Sequence, residues 1–404
     1  KLGASDLHFE PEENFVRLRL RVDGVLHESQ TFHKEYWNSM SQRIKIISEM
    51  NIADKFNPQD GRFNLTVGGR TADFRVSSLP TVHGENLVLR VLDKSSGIKS
   101  LQELGFSEHN MKQIQYALAK PEGIIIVTGP TGSGKTTTLY SMLNAVNSPE
   151  VNIMTLEDPV EYSLPLLRQS AVREASGLTF ANGVKALLRQ DPDIILVGEI
   201  RDLETAEIAI QASLTGHLVF STLHTNDSAS AITRLADLGV PAYLISATVI
   251  GVLAQRLTRM LCPACKQRDE DTSRETLDEL AKPWRLSGGV RPYKPVGCLE
   301  CRHTGYRGRV GLYELLVMTE AARACVHPSL DAGALRRQET NTLRSNDLYL
   351  QGEAELAPGI LATLGLRSGR LRVDSDDAYL SNGDDSGALS YGYNTPVLAL
   401  QWLP

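Results

Sequence analysis

The sequence predicts an α/β protein: a parallel sheet flanked by helices, with a small α+β domain before it and a four-cysteine insertion after it. Three observations carry this expectation. From Ile124 onward, short apolar stretches alternate with helical ones, the signature of a parallel sheet. The first of them, Ile124-Ile125-Ile126-Val127, runs into Gly129-Pro130-Thr131-Gly132-Ser133-Gly134-Lys135-Thr136, and a helical pattern from Thr137 to Leu143 follows. That is the strand, G-x-x-x-x-G-K-[ST], helix order of a phosphate-binding P-loop. Finally, Cys262-Pro263-Ala264-Cys265 and Cys298-Leu299-Glu300-Cys301 form two C-x₂-C pairs with 32 residues between them.

Taken in order, Val16 to Val22 alternates strictly, so a strand there puts aliphatic residues on one face and Arg17, Arg19 and Arg21 on the other. Asp23-Gly24 signals a tight hairpin, with Val25-Leu26 returning. A helical pattern covers about Tyr36 to Met50, with Met40, Ile44, Ile46 and Ile47 mainly on one side. Gln59-Asp60-Gly61 and Gly68-Gly69 punctuate short strands at 63–67 and 71–77, and another runs 86–92. Residues 1–95 therefore read as a small, mostly antiparallel α+β domain, with 96–105 as linker. Ser107 suits the N-cap of a helix reaching about Lys120, which Pro121-Glu122-Gly123 stops. Strands at 124–128, 152–156, 193–197 and 218–222, with helices at 180–190 and 203–214, complete a domain over 106–260. A P-loop on such a sheet implies a RecA-like nucleotide-binding core, by analogy at the level of fold.

A chain of 404 residues has room for two or three domains. Its 42% hydrophobic and 22% charged content is ordinary for a soluble globular protein. The net charge of −6 and pI near 5.9 give no general attraction to nucleic acid or anionic lipid, and count against a nucleic-acid motor. No apolar run is long enough to span a bilayer and no secretory signal heads the chain, so the expectation is cytoplasmic. The missing initiator Met points to a trimmed or partial chain. No internal repeat or low-complexity tract is present.

The motif dictates its own chemistry. Glycines let backbone N–H groups curl around a polyphosphate, and the helix that follows points its positive end at it. Lys135 reaches the β/γ-phosphates and the Thr136 hydroxyl binds Mg²⁺. An ordinary glycine-rich turn is the alternative, disfavoured because every motif position is filled. Ligand sites in parallel sheets lie beyond the carboxyl ends of the strands. There the second strand ends in Glu157-Asp158-Pro159-Val160-Glu161, the third in Gly198-Glu199-Ile200-Arg201-Asp202 and the fourth in Leu223-His224-Thr225, with His217 at its start. ATP hydrolysis needs a carboxylate to orient the attacking water, and Glu157 and Glu199 are the candidates. Either alone could be a solvated strand end. As a pair beside a P-loop they gain weight.

The blocks Thr155–Glu161, Leu188–Asp202 and Thr215–Thr225 resemble the Asp box, Walker B and His box of the secretion ATPase superfamily, nearest to its type II secretion and type IV pilus assembly branch. The resemblance runs from about Gly3 to Leu316. It implies a homo-hexamer, each subunit with an N-terminal domain and a RecA-like domain, working with inner-membrane platform proteins. It also implies that Arg75 and Arg90 close onto the nucleotide, that Thr137 joins the P-loop residues in binding it, and that His217 and His224 sense or contact the nucleotide region. Glu199 becomes the Walker B glutamate and Glu157 the Asp-box acid; which one polarises water the residues leave open. The chain begins inside the family's first domain, so the segment that usually docks on the membrane platform is expected to be absent.

Two facing C-x₂-C knuckles suit a closed, tetrahedral, structural zinc site. A disulfide pair is disfavoured in a reducing cytoplasm, and nothing suggests a thioredoxin-like unit. The same cysteines resemble the family's zinc-binding insertion, here 261–303, which pilus retraction ATPases lack. Cys325 reads as a small buried hydrophobe. A helical C-terminal subdomain is expected over 304–346, with traces at 334–338 and 342–344. Beyond about Asp347 the resemblance is lost, and the turn-rich stretch 371–404 suggests loops and short strands. The expected function is a hexameric, Mg²⁺-dependent ATPase that powers protein secretion or pilus assembly, peripheral at the inner membrane and with no nucleic-acid partner. The alternatives are a pilus retraction ATPase, a non-hydrolysing ATP-binding scaffold and, more distantly, a RecA-like nucleic-acid motor.

Overall fold

The computed structural model describes residues 3–67, 70–93, 98–173, 176–273, 275–276, 292–327, 344–357, 360–375 and 387–402, the last three as backbone. The N-terminal strands are β1 (Ala4–Pro11), β2 (Phe15–Val22), β3 (Val25–His33), β4 (Gln59–Val67), β5 (Arg70–Thr81) and β6 (Gly84–Asp93). They pair antiparallel in the order β3-β2-β1-β6-β5-β4, a sheet wider than the sequence pattern alone indicates because β1 carries no clean alternation. Val16 and Leu20 of β2 face inward as expected, joining Phe9, Trp37, Val76, Leu87 and Leu89 in the domain's core.

Helix α1 (Trp37–Ile47) rests on this sheet, with Met40 and Ile44 of the expected stripe packed against the core but its most deeply buried residues lying beside that stripe. Trp37, Ser41 and Lys45 are its buried residues, whereas Ile46 is half exposed. The cause is an ion pair. The Lys45 ammonium, 1% exposed, meets Glu85 Oε1 at 2.6 Å and donates to the Asp54 carbonyl at 2.7 Å. A buried charge needs both partners, and they fix which face of α1 turns inward.

The second sheet holds β7 (Gly123–Thr128), β8 (Ile153–Glu157), β9 (Arg168–Ala171), β10 (Ile194–Val197), β11 (Leu218–Leu223), β12 (Val249–Leu261) and β15 (Tyr306–Val317), with the short pair β13 (Gln267–Arg268) and β14 (Tyr293–Lys294) standing apart. Its order is β15-β12-β7-β11-β10-β8-β9, parallel except for β15. Strand β7 is buried along its whole length, so its side chains feed two cores. Ile124 and Ile126 pack on one face with α4 (Phe180–Leu187), α5 (Leu203–Leu214), α6 (Ser228–Asp237) and α7 (Ala242–Thr248). Ile125 and Val127 pack on the other with α2 (Glu108–Leu118) and α3 (Lys135–Val146). Side-chain caps at Ser107, Thr179, Asp202 and Asp227 set the starts of α2, α4, α5 and α6.

Beyond the cysteines the structure departs from expectation. Residues 306–317, assigned above to a helical subdomain, are a strand of the main sheet, paired with β12 from Gly251↔Val317 to Leu261↔Tyr306. A five-residue helix, Glu320–Ala324, follows it; the helical traces at 334–338 and 342–343 fall outside the described residues. The tail forms β16 (Arg344–Ala357), β17 (Ile360–Ser375) and β18 (Gly387–Trp402), an antiparallel sheet of long strands where short ones are expected. Among the described residues no helix is long and apolar enough to cross a membrane.

Candidate functional site

The P-loop joins the carboxyl end of β7 to the start of α3. Gly129 and Gly134 adopt φ angles of 146° and 90°, which β-carbon-bearing residues rarely reach. A Cβ at Gly129 would strike the Gln255 carbonyl oxygen, so the glycine is also required sterically. Lys135 lies back along the loop, its Nζ donating to the Gly129 carbonyl at 2.8 Å and the Pro130 carbonyl at 3.3 Å. Burial lowers its pKa, and the charge of Glu199 opposes that shift. Ser133 is 3% exposed, and its Oγ has no partner among the described residues.

Adjacent strand ends bring three further groups to this mouth. His224, just past β11, stands with Nδ1 3.5 Å from Lys135 Nζ and Nε2 3.5 Å from Glu199 Oε2. Glu199 also pairs with Arg201, whose guanidinium reaches Asp158 at 3.8 Å. Thr128 Oγ1 accepts the Thr225 N–H at 2.8 Å and locks the end of β11 against that of β7.

Glu157 has a different setting. It is 5% exposed, and its carboxylate accepts hydrogen bonds from Tyr140, from Thr155 Oγ1 at 2.6 Å and from Gln169 Nε2 at 3.2 Å. The Tyr140 hydroxyl accepts the Glu161 N–H at 3.3 Å. Burial, then the charge and hydrogen bond of Glu157, push the Tyr140 phenol well above its usual range, so it serves as a donor.

The arginines and the other histidine divide. Arg75, on β5, crosses to the second domain, donating to the Val160 carbonyl and pairing with Glu161 Oε2 at 3.0 Å. Arg90, its cross-strand neighbour, pairs with Asp6 at 3.1 Å. His217 lies at the other end of the parallel strands, where its carbonyl accepts the Gly123 N–H and its Nδ1 meets the Ala212 carbonyl at 2.8 Å. Six residues of β7 separate that end from the P-loop, about 20 Å of strand. The expectation that His217 contacts the nucleotide region is therefore not met within the chain. Gln255, Tyr140 and Gln169 have no role that the sequence indicates, and only Gln255 leaves a trace there, as a lone amide after the apolar run Val252-Leu253-Ala254. Arg201 falls in the strand-end block noted above, but its pairing with Glu199 is visible only in the structure.

The four cysteines meet with their sulfurs all within 4.8 Å of one another. Cys262–Cys298 and Cys265–Cys301 are 3.9 and 3.7 Å apart, too long for disulfides and close to the ~3.8 Å edge of a tetrahedron with Zn–S bonds of about 2.3 Å. Backbone N–H groups of Gly297, Cys298 and Gly305 donate to these sulfurs at 3.1–3.3 Å. Burial raises the Cys265 thiol to about 11; at Cys301 burial is outweighed by the N–H donors, and it falls to about 6. The donor set fits zinc in a closed, structural site. Cys325 is only partly buried, donating to the Ala321 carbonyl at 3.4 Å.

The family model described as "Type II/IV secretion system protein" matches residues 1–366, past the point near Asp347 where the motifs give out. Type II secretion system protein E of Aeromonas hydrophila is 48% identical over 361 residues, covering 88% of this chain and 72% of that one. The type IV pilus assembly ATPase PilB of Thermus thermophilus is 46% identical over 367 residues, 89% of this chain and 41% of that one. A crystal structure of the pilus retraction motor PilT with bound ADP superposes with a TM-score of 0.54 at 28% identity, over 83% of this chain and 84% of that chain. The chain spans 64–72% of the length of the secretion relatives it matches. A parallel sheet carrying this P-loop, with Lys135, His224 and Glu199 gathered at its mouth, accords with those matches: the chain belongs to the type II/IV secretion system protein family, in the branch of secretion and pilus assembly ATPases.

Proposed function

We propose that the chain works as a Mg²⁺-dependent homo-hexameric ATPase, peripheral to the inner membrane on its cytoplasmic side, that drives protein secretion or pilus assembly through platform proteins there. The observation that carries this reading is the convergence of Lys135, His224 and Glu199 within 3.5 Å steps at the P-loop mouth. In it, the loop N–H groups and Lys135 hold the phosphates, Thr136 would hold Mg²⁺, and bound Mg²⁺ supplies charge neutralisation of the polyphosphate. Glu199 orients the attacking water, because it faces the mouth and takes few hydrogen bonds; Glu157 holds the Asp-box loop instead. His224 links Lys135 to Glu199 and reports whether the phosphates are in place. Arg75 and Arg90 lie on one face of the N-terminal sheet, and closure of residues 1–95 against 106–260 brings them toward nucleotide. Zinc at Cys262, Cys265, Cys298 and Cys301 braces the turn between β12 and β15, a feature that favours assembly over retraction.

The test is phosphate release from ATP with Mg²⁺, alongside particle mass. Turnover that rises with hexamer formation and disappears in Lys135→Ala and Glu199→Gln is the expected result. ATP binding without turnover in the assembled ring would leave a scaffold in place of a motor.

A further inference from the structure

The P-loop has a partner that its motif does not contain. Gln255 lies in β12, the strand beside β7 on the side away from β11, and is 3% exposed. Its Nε2 donates to the Ser133 carbonyl at 2.7 Å, and its Oε1 accepts from Thr138 Oγ1 at 2.7 Å. A Cβ at Gly134 would come within 2.8 Å of the same Nε2. One side chain thus grips both the loop and the first turn of the helix behind it. The Ser133 carbonyl can only accept, so the nitrogen must face it, and a carboxylate in that place would set oxygen against oxygen.

We propose that Gln255 is a positioning residue for the phosphate-binding loop. In a trans peptide, the carbonyl of one residue and the N–H of the next point in opposite directions. Holding the Ser133 carbonyl toward β12 therefore turns the Gly134 N–H the other way, into the concave side of the loop where phosphate oxygens sit. A buried amide in an apolar strand is costly unless both its ends are bonded, and here both bonds go to the nucleotide-binding machinery. The inference rests on the P-loop binding a nucleotide and is independent of turnover.

The experiment is calorimetric titration of the full chain with ADP, in parallel with thermal unfolding, for Gln255→Glu, Gln255→Leu and Thr138→Val. Loss of the Ser133 bond in either Gln255 variant is expected to weaken ADP about tenfold, and Thr138→Val, which frees only the far end of the amide, about threefold. Steady-state assays should show the change in KM, with kcat at saturation within about threefold. Unchanged ADP affinity with a lowered melting temperature would make Gln255 merely structural and overturn the proposal. If both Gln255 variants fail to fold, unchanged affinity in Thr138→Val overturns it alone. An unaltered chain that binds ADP but does not turn over ATP would refute the ATPase reading and leave this test intact.

Discussion

Glu157 and Glu199 end two neighbouring strands, β8 and β10, yet their surroundings assign them different work. Three donors close around Glu157, and one of them, Tyr140, comes from the P-loop helix. Glu199 instead meets two partners that can carry positive charge, Arg201 and His224, at the loop mouth. Glu199→Gln is therefore expected to keep nucleotide affinity and lose about 10²–10⁴ in kcat, measured by phosphate release. Tyr140→Phe leaves a buried carboxylate short of a donor and should lower stability by about 1–3 kcal/mol in a denaturant titration. The phenol also sets a pH limit. Its folded pKa is raised above the ordinary value of 10.0, so its contribution is complete below pH 10 and is lost as the pH climbs beyond it. Alkaline unfolding should accordingly be less steep in Tyr140→Phe than in the unaltered chain.

The hairpin of β12 and β15 joins the nucleotide site to the cysteine cluster. β12 carries Gln255 near its middle and runs out into Cys262, and β15 begins five residues after Cys301. Removing zinc with a chelator, or making Cys298→Ser, should lower the melting temperature and speed amide exchange first in the outer half of the hairpin. Metal analysis of the purified chain should give about one zinc per subunit. The hairpin also marks where sequence patterning stops being informative. β7, β10 and β11 are short, mostly apolar runs that read directly as buried parallel strands, and α5 has the bounds 203–214 that its pattern predicts. β12 starts apolar and then mixes in Arg256, Thr258 and Arg259, because its outer half leaves the core; no single period describes it. Ile46 misled for a related reason: burial of α1 follows the Lys45–Glu85 pair, a tertiary contact that no local pattern encodes. Among site residues, Lys135, Glu199 and His224 gather at the P-loop mouth as their motifs suggest and His217 of the same box does not, whereas Tyr140, Gln169 and Gln255 act through contacts between distant segments.

Across the whole molecule, the two domains touch at named points. Arg75 grips the Asp-box loop through Val160 and Glu161, and Asp23 at the β2–β3 turn accepts the Gly308 N–H at 2.9 Å. Arg75→Ala removes the first of these. It is expected to reduce turnover in the assembled ring at least tenfold with a smaller effect on the melting temperature, since both side chains of the pair are more than a quarter exposed. In mass measurements on the unaltered chain, activity per subunit should rise with the hexamer fraction. The Tyr140 hydroxyl gives this arrangement a mechanical meaning. Helix α3 begins at the P-loop and carries Tyr140 on its second turn; Tyr140 takes the Glu161 N–H, and Glu161 takes Arg75. On the proposed function, a displacement of α3 would reach the N-terminal sheet through these two polar links, as a crank passes rotation to a rod. The coupling would then be reciprocal: if nucleotide moves the sheet, a load on the sheet would alter nucleotide affinity by the same free energy.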